Sequence, residues 1–273
     1  MLERRSSAPY GSARLAERRR TRRRRGLIVF LILFLLLLAV AVYGLWQDSV
    51  RISRIDIYGA DASFAGYAKN AMQGNYFGII PRDSTFFFPA SHIRSNILAA
   101  HSSIAAISIF RNGFTGLSIK INDRAPIARW CGLSPSGPDV DEYCYVFDAS
   151  GLIYATATAT TTTINNFRLY APLEDETLEP LLATILHAEK IPAALDFARQ
   201  LDTFGSPIMQ VVLRDDEVDD YLKSGTRITY VLGHERDAFT ALVSARDNFN
   251  LADGSLDYVD LRFNRKMYIK RKQ

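Results

Sequence analysis

Cysteine is scarce in this chain: two in 273 residues. That excludes a disulfide-dense mini-scaffold and a four-cysteine zinc site. Histidine is nearly as rare. His92, His101, His187 and His234 stand far apart, and none forms an HExxH pair. No G-x-S-x-G elbow, Walker loop or glycine-rich dinucleotide fingerprint occurs. Ser, His and Asp are present without a local arrangement that marks a nucleophile. No catalytic residue, metal ligand or cofactor-binding residue is therefore expected, and the chain reads as a non-enzyme. Charge is absent from Gly26 to Gln47 altogether.

That last absence organises the molecule. Gly26 to Trp46 reads GLIVFLILFLLLLAVAVYGLW. At roughly 1.5 Å per residue it reaches roughly 30 Å, the thickness of a bilayer's hydrocarbon core. Tyr43 and Trp46 sit at its far end, where aromatic rings favour the headgroup region. At the near end Met1–Arg25 holds ten Arg against Glu3 and Glu17, a net charge of +8. The remainder holds 23 Lys and Arg against 27 Asp and Glu, a net −4. The overall +4 is thus no sign that the body binds nucleic acid. The positive-inside rule keeps the Arg-rich head cytoplasmic, in contact with lipid headgroups, and exports the rest. A cleaved signal peptide is the rival, since Ala39-Val40-Ala41 satisfies the small-x-small pattern. The apolar run exceeds the usual 7–15 residues of a signal core, roughly, and favours an uncleaved anchor.

The exported body begins with alternation. Ile52, Ile55 and Ile57 lie among Arg51, Ser53, Arg54 and Asp56, predicting a strand closed by Gly59. Ser63–Met72 and Ser91–Ala100 have helical rhythm, with Ser63 an expected N-cap. The aromatic stretch from Asn75 to Pro89 between them reads as a loop. Ile104–Arg111 and Leu117–Asp123 alternate again around Asn112-Gly113, a hairpin signal. The order strand, helix, helix, strand, strand suits a small domain with two helices on one face of a sheet.

The second half predicts helices at Pro192–Phe204 and Arg236–Asn248. Strands are expected at Ile208–Arg214, Asp220–Lys223, Arg227–Leu232, Leu256–Phe263 and Lys266–Lys270, with a turn at Lys223-Ser224-Gly225-Thr226. Ala155–Thr163 is low in complexity and reads as an exposed connection. Asp215–Asp220 places five carboxylates in six residues. Calcium binding lacks the glycine-turned spacing of an EF-hand loop, so a solvated acidic turn is expected.

Cys131 and Cys144 bracket CGLSPSGPDVDEYC. Outside the cytoplasm two thiols oxidise. A closed loop of about 14 residues removes roughly 3 kcal/mol of unfolded-state entropy. A Cys131–Cys144 disulfide is predicted over free thiols or an unfinished zinc site.

Five phrases together resemble a known family. They are Ile55-Asp56-Ile57-Tyr58-Gly59, Gly74-Asn75-Tyr76-Phe77, Asp123-Arg124-Ala125-Pro126-Ile127-Ala128-Arg129-Trp130, Tyr145-Val146-Phe147-Asp148-Ala149-Ser150-Gly151-Leu152-Ile153 and Tyr258-Val259-Asp260-Leu261-Arg262-Phe263. Set behind a single N-terminal span, they resemble the bacterial cell-division FtsQ (DivIB) family, with Asp123 in place of its usual Glu. The resemblance implies a single transmembrane helix followed by α+β. A POTRA domain (β-α-α-β-β) and a C-terminal mixed β domain with helices would follow. The expected divisions are 1–25 cytoplasmic basic tail, 26–47 transmembrane helix, 48–125 POTRA domain and 126–273 C-terminal β domain.

It also implies a role in the divisome at the septum, in the inner membrane, linking cytoplasmic division machinery to septal wall synthesis. The implied partners are FtsB-like and FtsL-like proteins, recruited by strands at the C-terminal edge of the β domain. Tyr258, Asp260, Arg262 and Phe263 are the implied contact residues, with Tyr258, Asp260 and Arg262 expected to project from one face. Past them Lys266, Lys270, Arg271 and Lys272 form a basic stretch, and edge lysines also block pairing. The alternatives are a POTRA-containing transport or secretion factor and, less favoured, a membrane-anchored cell-wall hydrolase.

Overall fold

The structure is a computed structural model and describes residues 12–135, 143–158, 161–175, 177, 179–263 and 266–273. Residues 1–11 of the basic head, 136–142 of the cysteine-bracketed loop and 159–160 of the Thr run lie outside the described residues. The described chain forms two compact units, 1–99 with 107–121, and 100–106 with 122–273. The main body of the second unit thus starts at Asn122, a few residues before the expected division, and the unit also takes in residues 100–106, the turn after the second body helix and the start of the strand that follows.

The first unit opens with α1 (Ser12–Leu45), a helix of 34 residues. It starts well before Gly26, because Ala, Leu and Arg are good helix formers and no breaker interrupts them. Its stretch from Arg18 to Leu45 is long and apolar enough to cross a membrane, and none of it is buried in the protein. The strand β1 (Arg54–Tyr58) follows. Gly59 ends it with φ +83°, and a Cβ there would lie 2.3 Å from the Ile121 carbonyl oxygen. Only glycine fits both conditions.

The first body helix is shorter than expected. A 3₁₀ turn at Ala62–Phe64 precedes α2 (Ala65–Ala71), and Asp61, not Ser63, caps it by accepting from the Ser63 amide. The expected loop after it contains a small hairpin, β2 (Asn75–Tyr76) and β3 (Ile80–Pro81). Next come α3 (Ala90–Ala100), β4 (Ile104–Asn112) and β5 (Gly116–Asp123). The sheet order is β1-β5-β4, with β1 parallel to β5, pairing Ile55 with Leu117 and Ile57 with Ile119. Ala68, Ala71, Met72, Ile93, Ile97, Ile107, Leu117, Ile119 and Ile121 are buried apolar residues of this unit.

The second unit is built on one nine-stranded mixed sheet with two helices. Its strands are β6 (Ala128–Trp130), β7 (Tyr145–Phe147), β8 (Ile153–Thr156), β9 (Arg168–Tyr170), β10 (Ile208–Arg214), β11 (Glu217–Leu222), β12 (Arg227–Val231), β13 (Leu256–Asp260) and β14 (Tyr268–Arg271). Their order is β14-β13-β12-β11-β10-β9-β6-β7-β8. The helices are α4 (Ile191–Leu201) and α5 (Glu235–Ala245), each followed by a 3₁₀ turn. In α4, Ile191, Ala194, Leu195, Ala198 and Leu201 fall at helical spacing and all are buried, as is Phe197. Each large apolar side chain so buried contributes about 1.5–3 kcal/mol. Phe197 packs against Tyr230 of β12 with the rings tilted by 58° and their centres 4.4 Å apart.

Gly151 fixes the β7–β8 turn. Its φ is +76°, and a Cβ would come within 2.5 Å of the Ala188 methyl. Cys131 and Cys144 form a disulfide with Cα atoms 4.2 Å apart. It packs with Tyr170, Val212 and Tyr221. Of the Thr run, Ala155 and Thr156 belong to β8, and Thr158 and Thr161 hydrogen-bond to each other.

The expected solvated acidic turn is overturned. Only Asp215 and Asp216 form the turn, while Glu217–Leu222 is a central strand. Asp219 is 1% exposed and Asp220 not exposed at all. The reason is period two. Val218, Asp220 and Leu222 share one face of β11, and Val218 and Leu222 belong to the core.

Candidate functional site

The residues singled out from the sequence lie on β13 and just beyond it. β13 does not end the sheet. It pairs in parallel with β12, Ile228 opposite Val259, and antiparallel with β14, Val259 opposite Ile269. Both its edges are filled by the chain itself. The rim of the sheet is β14, whose four residues are all exposed. An incoming backbone can pair with β14 and not with β13.

The expected alternation along β13 holds from Tyr258 onward, with Tyr258 opposite Arg227, Asp260 opposite Thr229 and Val259 between them in the core, and fails only at Leu256. The pairing with β14 shifts register between Leu256 and Tyr258. This bulge lets Leu256 and Val259, three apart, both enter the core. Tyr258 is half-buried between two cations, with Arg227 5.6 Å and Lys270 5.7 Å from its ring. Lys270 also bonds Asp257 at 2.8 Å, tying β14 to β13. That contact holds the Asp257 carboxyl below its usual range and raises the Lys270 ammonium.

Asp260 does not project towards a partner; it is 8% exposed and engaged by Arg262. Arg262 Nε donates to Oδ1 at 3.0 Å and Nη2 to Oδ2 at 2.7 Å, a two-pronged fork. The Arg262 amide adds a third bond at 3.0 Å, and Nη1 reaches Glu217 at 2.7 Å. The Arg262 hydrogen bonds hold the Asp260 carboxyl below its ordinary range, against the opposing effect of burial. Asp260 and Glu217 in turn raise the guanidinium. Arg262 therefore closes the end of β13 onto β11.

Phe263 is different. It is 51% exposed, meets Tyr268 of β14 edge-on at 5.2 Å and lies under the Arg262 guanidinium at 5.8 Å. With Val231, Ala238, Leu261 and Lys266 it lines a cleft of about 210 Å³ against α5. Of the four residues expected at the contact, Arg262 and Phe263 reach the surface beside the rim, while Tyr258 and Asp260 serve the fold.

The acidic run conceals a buried group that the sequence reading passed over. Asp219 accepts from Thr229 Oγ1 at 2.6 Å and from Arg214. Asp220 has no hydrogen-bond partner on either carboxylate oxygen, and neither does the Tyr230 hydroxyl. Burial holds the Asp220 carboxyl well above its usual range, with Asp219 and Glu235 adding to the effect. Burial likewise raises Tyr230, helped by Asp220 and Glu235. The signal was present in the alternation of Val218, Asp220 and Leu222. Among the described residues no group of three or more His, Cys, Asp or Glu could hold a metal ion.

No family model matches the chain, and no curated protein matches it.

Proposed function

We propose that the chain is a bitopic division protein of the FtsQ/DivIB kind, a membrane-held scaffold that acts by assembly. α1 crosses the inner membrane with the Arg-rich head in the cytoplasm. The β1-α2-α3-β4-β5 unit is its POTRA domain, and the nine-stranded sheet is the docking domain for FtsB-like and FtsL-like chains at the septum. The single observation that carries this reading is the exposed outer edge of β14, beside Phe263.

An extended segment of a partner adds to that edge through main-chain hydrogen bonds, and Phe263 and Tyr268 offer apolar contacts that select it. The contact strand is β14 and not β13, because β14 already pairs with β13. Confinement of both chains to one membrane raises their effective concentration, so a short edge suffices.

The test is co-purification of the tagged full-length chain from detergent-solubilised membranes, followed by hydrogen exchange on the complex. Division proteins in the eluate and slowed exchange at Tyr268–Arg271 are expected. A bound partner that leaves those amides exchanging at the free rate rules out edge pairing, and an eluate without division proteins rules out the role.

A further inference from the structure

Among the described residues the most exposed large apolar side chain of the body is not at the sheet rim. Phe77, 95% exposed, sits at the tip of the β2–β3 hairpin, followed by Gly78 and the 53% exposed Ile79. The tip is braced. Tyr76 pairs with Ile80, the Ile79 amide donates to the Tyr76 carbonyl at 3.0 Å, and the Arg82 guanidinium lies 5.0 Å from the Tyr76 ring. Phe77 is held at φ 50°, a conformation that bulky residues avoid. An aromatic kept there, braced and fully presented, points to a use for its ring.

Its position says which use. The Trp46 indole Nε1 donates to the Ile79 carbonyl at 2.8 Å. Trp46 ends the apolar run of α1, where indole rings settle among lipid headgroups. One hydrogen bond therefore sets the hairpin tip at headgroup level. A second set of bonds clamps the chain leaving α1 to the same unit. The Ile52 amide donates to the Asp83 carbonyl at 2.7 Å, and the Thr85 amide donates to the Val50 carbonyl at 3.0 Å. Arg51 forks onto the Asp83 carboxylate at 2.6–3.1 Å. Phe86 and Phe87, each 48% exposed, follow Thr85 directly. Beside Trp46 opens a groove of about 540 Å³ lined by the Arg51–Asp83 pair and by Lys69, a cation suited to lipid phosphate.

We propose that the Phe77-Gly78-Ile79 turn is a second membrane contact, seated in the headgroup layer of the leaflet that holds Trp46. Its occupant is phospholipid, and it lays the first unit against the bilayer instead of letting it swing on the end of α1. The inference rests on the reading of α1 as a span.

The test uses the full-length protein in liposomes of phosphatidylethanolamine and phosphatidylglycerol. Phe77→Cys and, separately, Leu36→Cys are labelled with the polarity-sensitive dye NBD under non-reducing conditions, where Cys131 and Cys144 remain joined. Substituting so exposed a side chain as Phe77 leaves packing intact, and an unchanged melting curve checks it. The label at Phe77 should lose most of its intensity to lipids spin-labelled high on the acyl chain and resist aqueous iodide. The label at Leu36 should respond to lipids spin-labelled deep in the chain. If Leu36 reports lipid while Phe77 is quenched by iodide alone, the turn faces water and the inference is overturned, with the span intact. If Leu36 itself is quenched by iodide, the span fails and the second contact falls with it.

Discussion

The Arg124 guanidinium donates to the Asp148 carboxylate 24 residues away, joining two of the sequence phrases into one device. The same carboxylate accepts from the Ser150 hydroxyl at 2.6 Å and the Ser150 amide at 2.9 Å, which shapes the turn before Gly151. Arg124 Nε meanwhile holds the Ser102 carbonyl at 3.0 Å, and the Tyr154 hydroxyl donates to the Arg124 carbonyl at 3.3 Å. The start of the second unit is thus pinned to its β7–β8 turn. Burial alone would raise the Asp148 carboxyl. The hydrogen bonds from Ser150 and Arg124 outweigh that effect and hold it below its usual range.

Asp148→Ala should therefore destabilise the second unit by about 2–3 kcal/mol, since it leaves a half-buried guanidinium without its acceptor. A depressed carboxyl stabilises the fold above its unfolded-state value and loses that contribution as the pH falls through its folded-state value. The wild-type protein should lose more stability than the variant between pH 5 and lower pH, roughly, in urea titrations. Parallel pH curves for the two would sink the assignment.

Replacing both cysteines by serine should cost about 3 kcal/mol, the closure entropy of a loop of this size. The measurement is chemical denaturation of the oxidised protein beside the double variant. Equal stabilities would mean that the cross-link restrains nothing in the unfolded chain.

Asp220→Asn should behave in the opposite sense to Asp148→Ala. Asp220 is raised, so its contribution is complete below the ordinary carboxylate range and declines as the pH climbs above it. At neutral pH the asparagine variant should be the more stable protein, and the gap should close towards about pH 4. A variant less stable than wild type at every pH would show that Asp220 is not held neutral.

Arg262→Ala and Phe263→Lys should separate fold from docking. Loss of the Arg262 fork strands the buried Asp260 and should lower stability by about 1.5–3 kcal/mol. Phe263→Lys should change stability by less than about 0.5 kcal/mol, as exposed substitutions do, while weakening capture of the proposed FtsB-like partner. Unchanged capture by the lysine variant would remove Phe263 from the contact.

What the sequence revealed, and what it hid, follows the range of the forces involved. Helices are local, so α4 and α5 could be read from Leu195, Phe197, Ala198 and Leu201 and from Phe239 and Leu242, to within a turn. The charge-free run announced α1, but its length was understated because arginines extend a helix as well as any polar residue. Strand neighbours are not local. Nothing in Ile55 or Ile57 says that their strand lies beside β5 and not β4. The short strand β9 carried no pattern of its own, and its place between β10 and β6 is set entirely by tertiary pairing. At the candidate site, one bulge after Leu256 was enough to send Leu256 into the core beside Val259, where strict alternation had set it on the opposite face with Tyr258 and Asp260. Asp220 was hidden by the opposite error, a run of acids read by composition when its spacing from Val218 and Leu222 was the better guide.

Four residues make a brief landing strip. A visitor that grips β14 alone can form only a handful of main-chain bonds along Tyr268–Arg271, and it should come and go quickly. Lasting attachment then demands that the same visitor touch down somewhere else as well, so dwell time, more than recognition, becomes the quantity the cell can adjust.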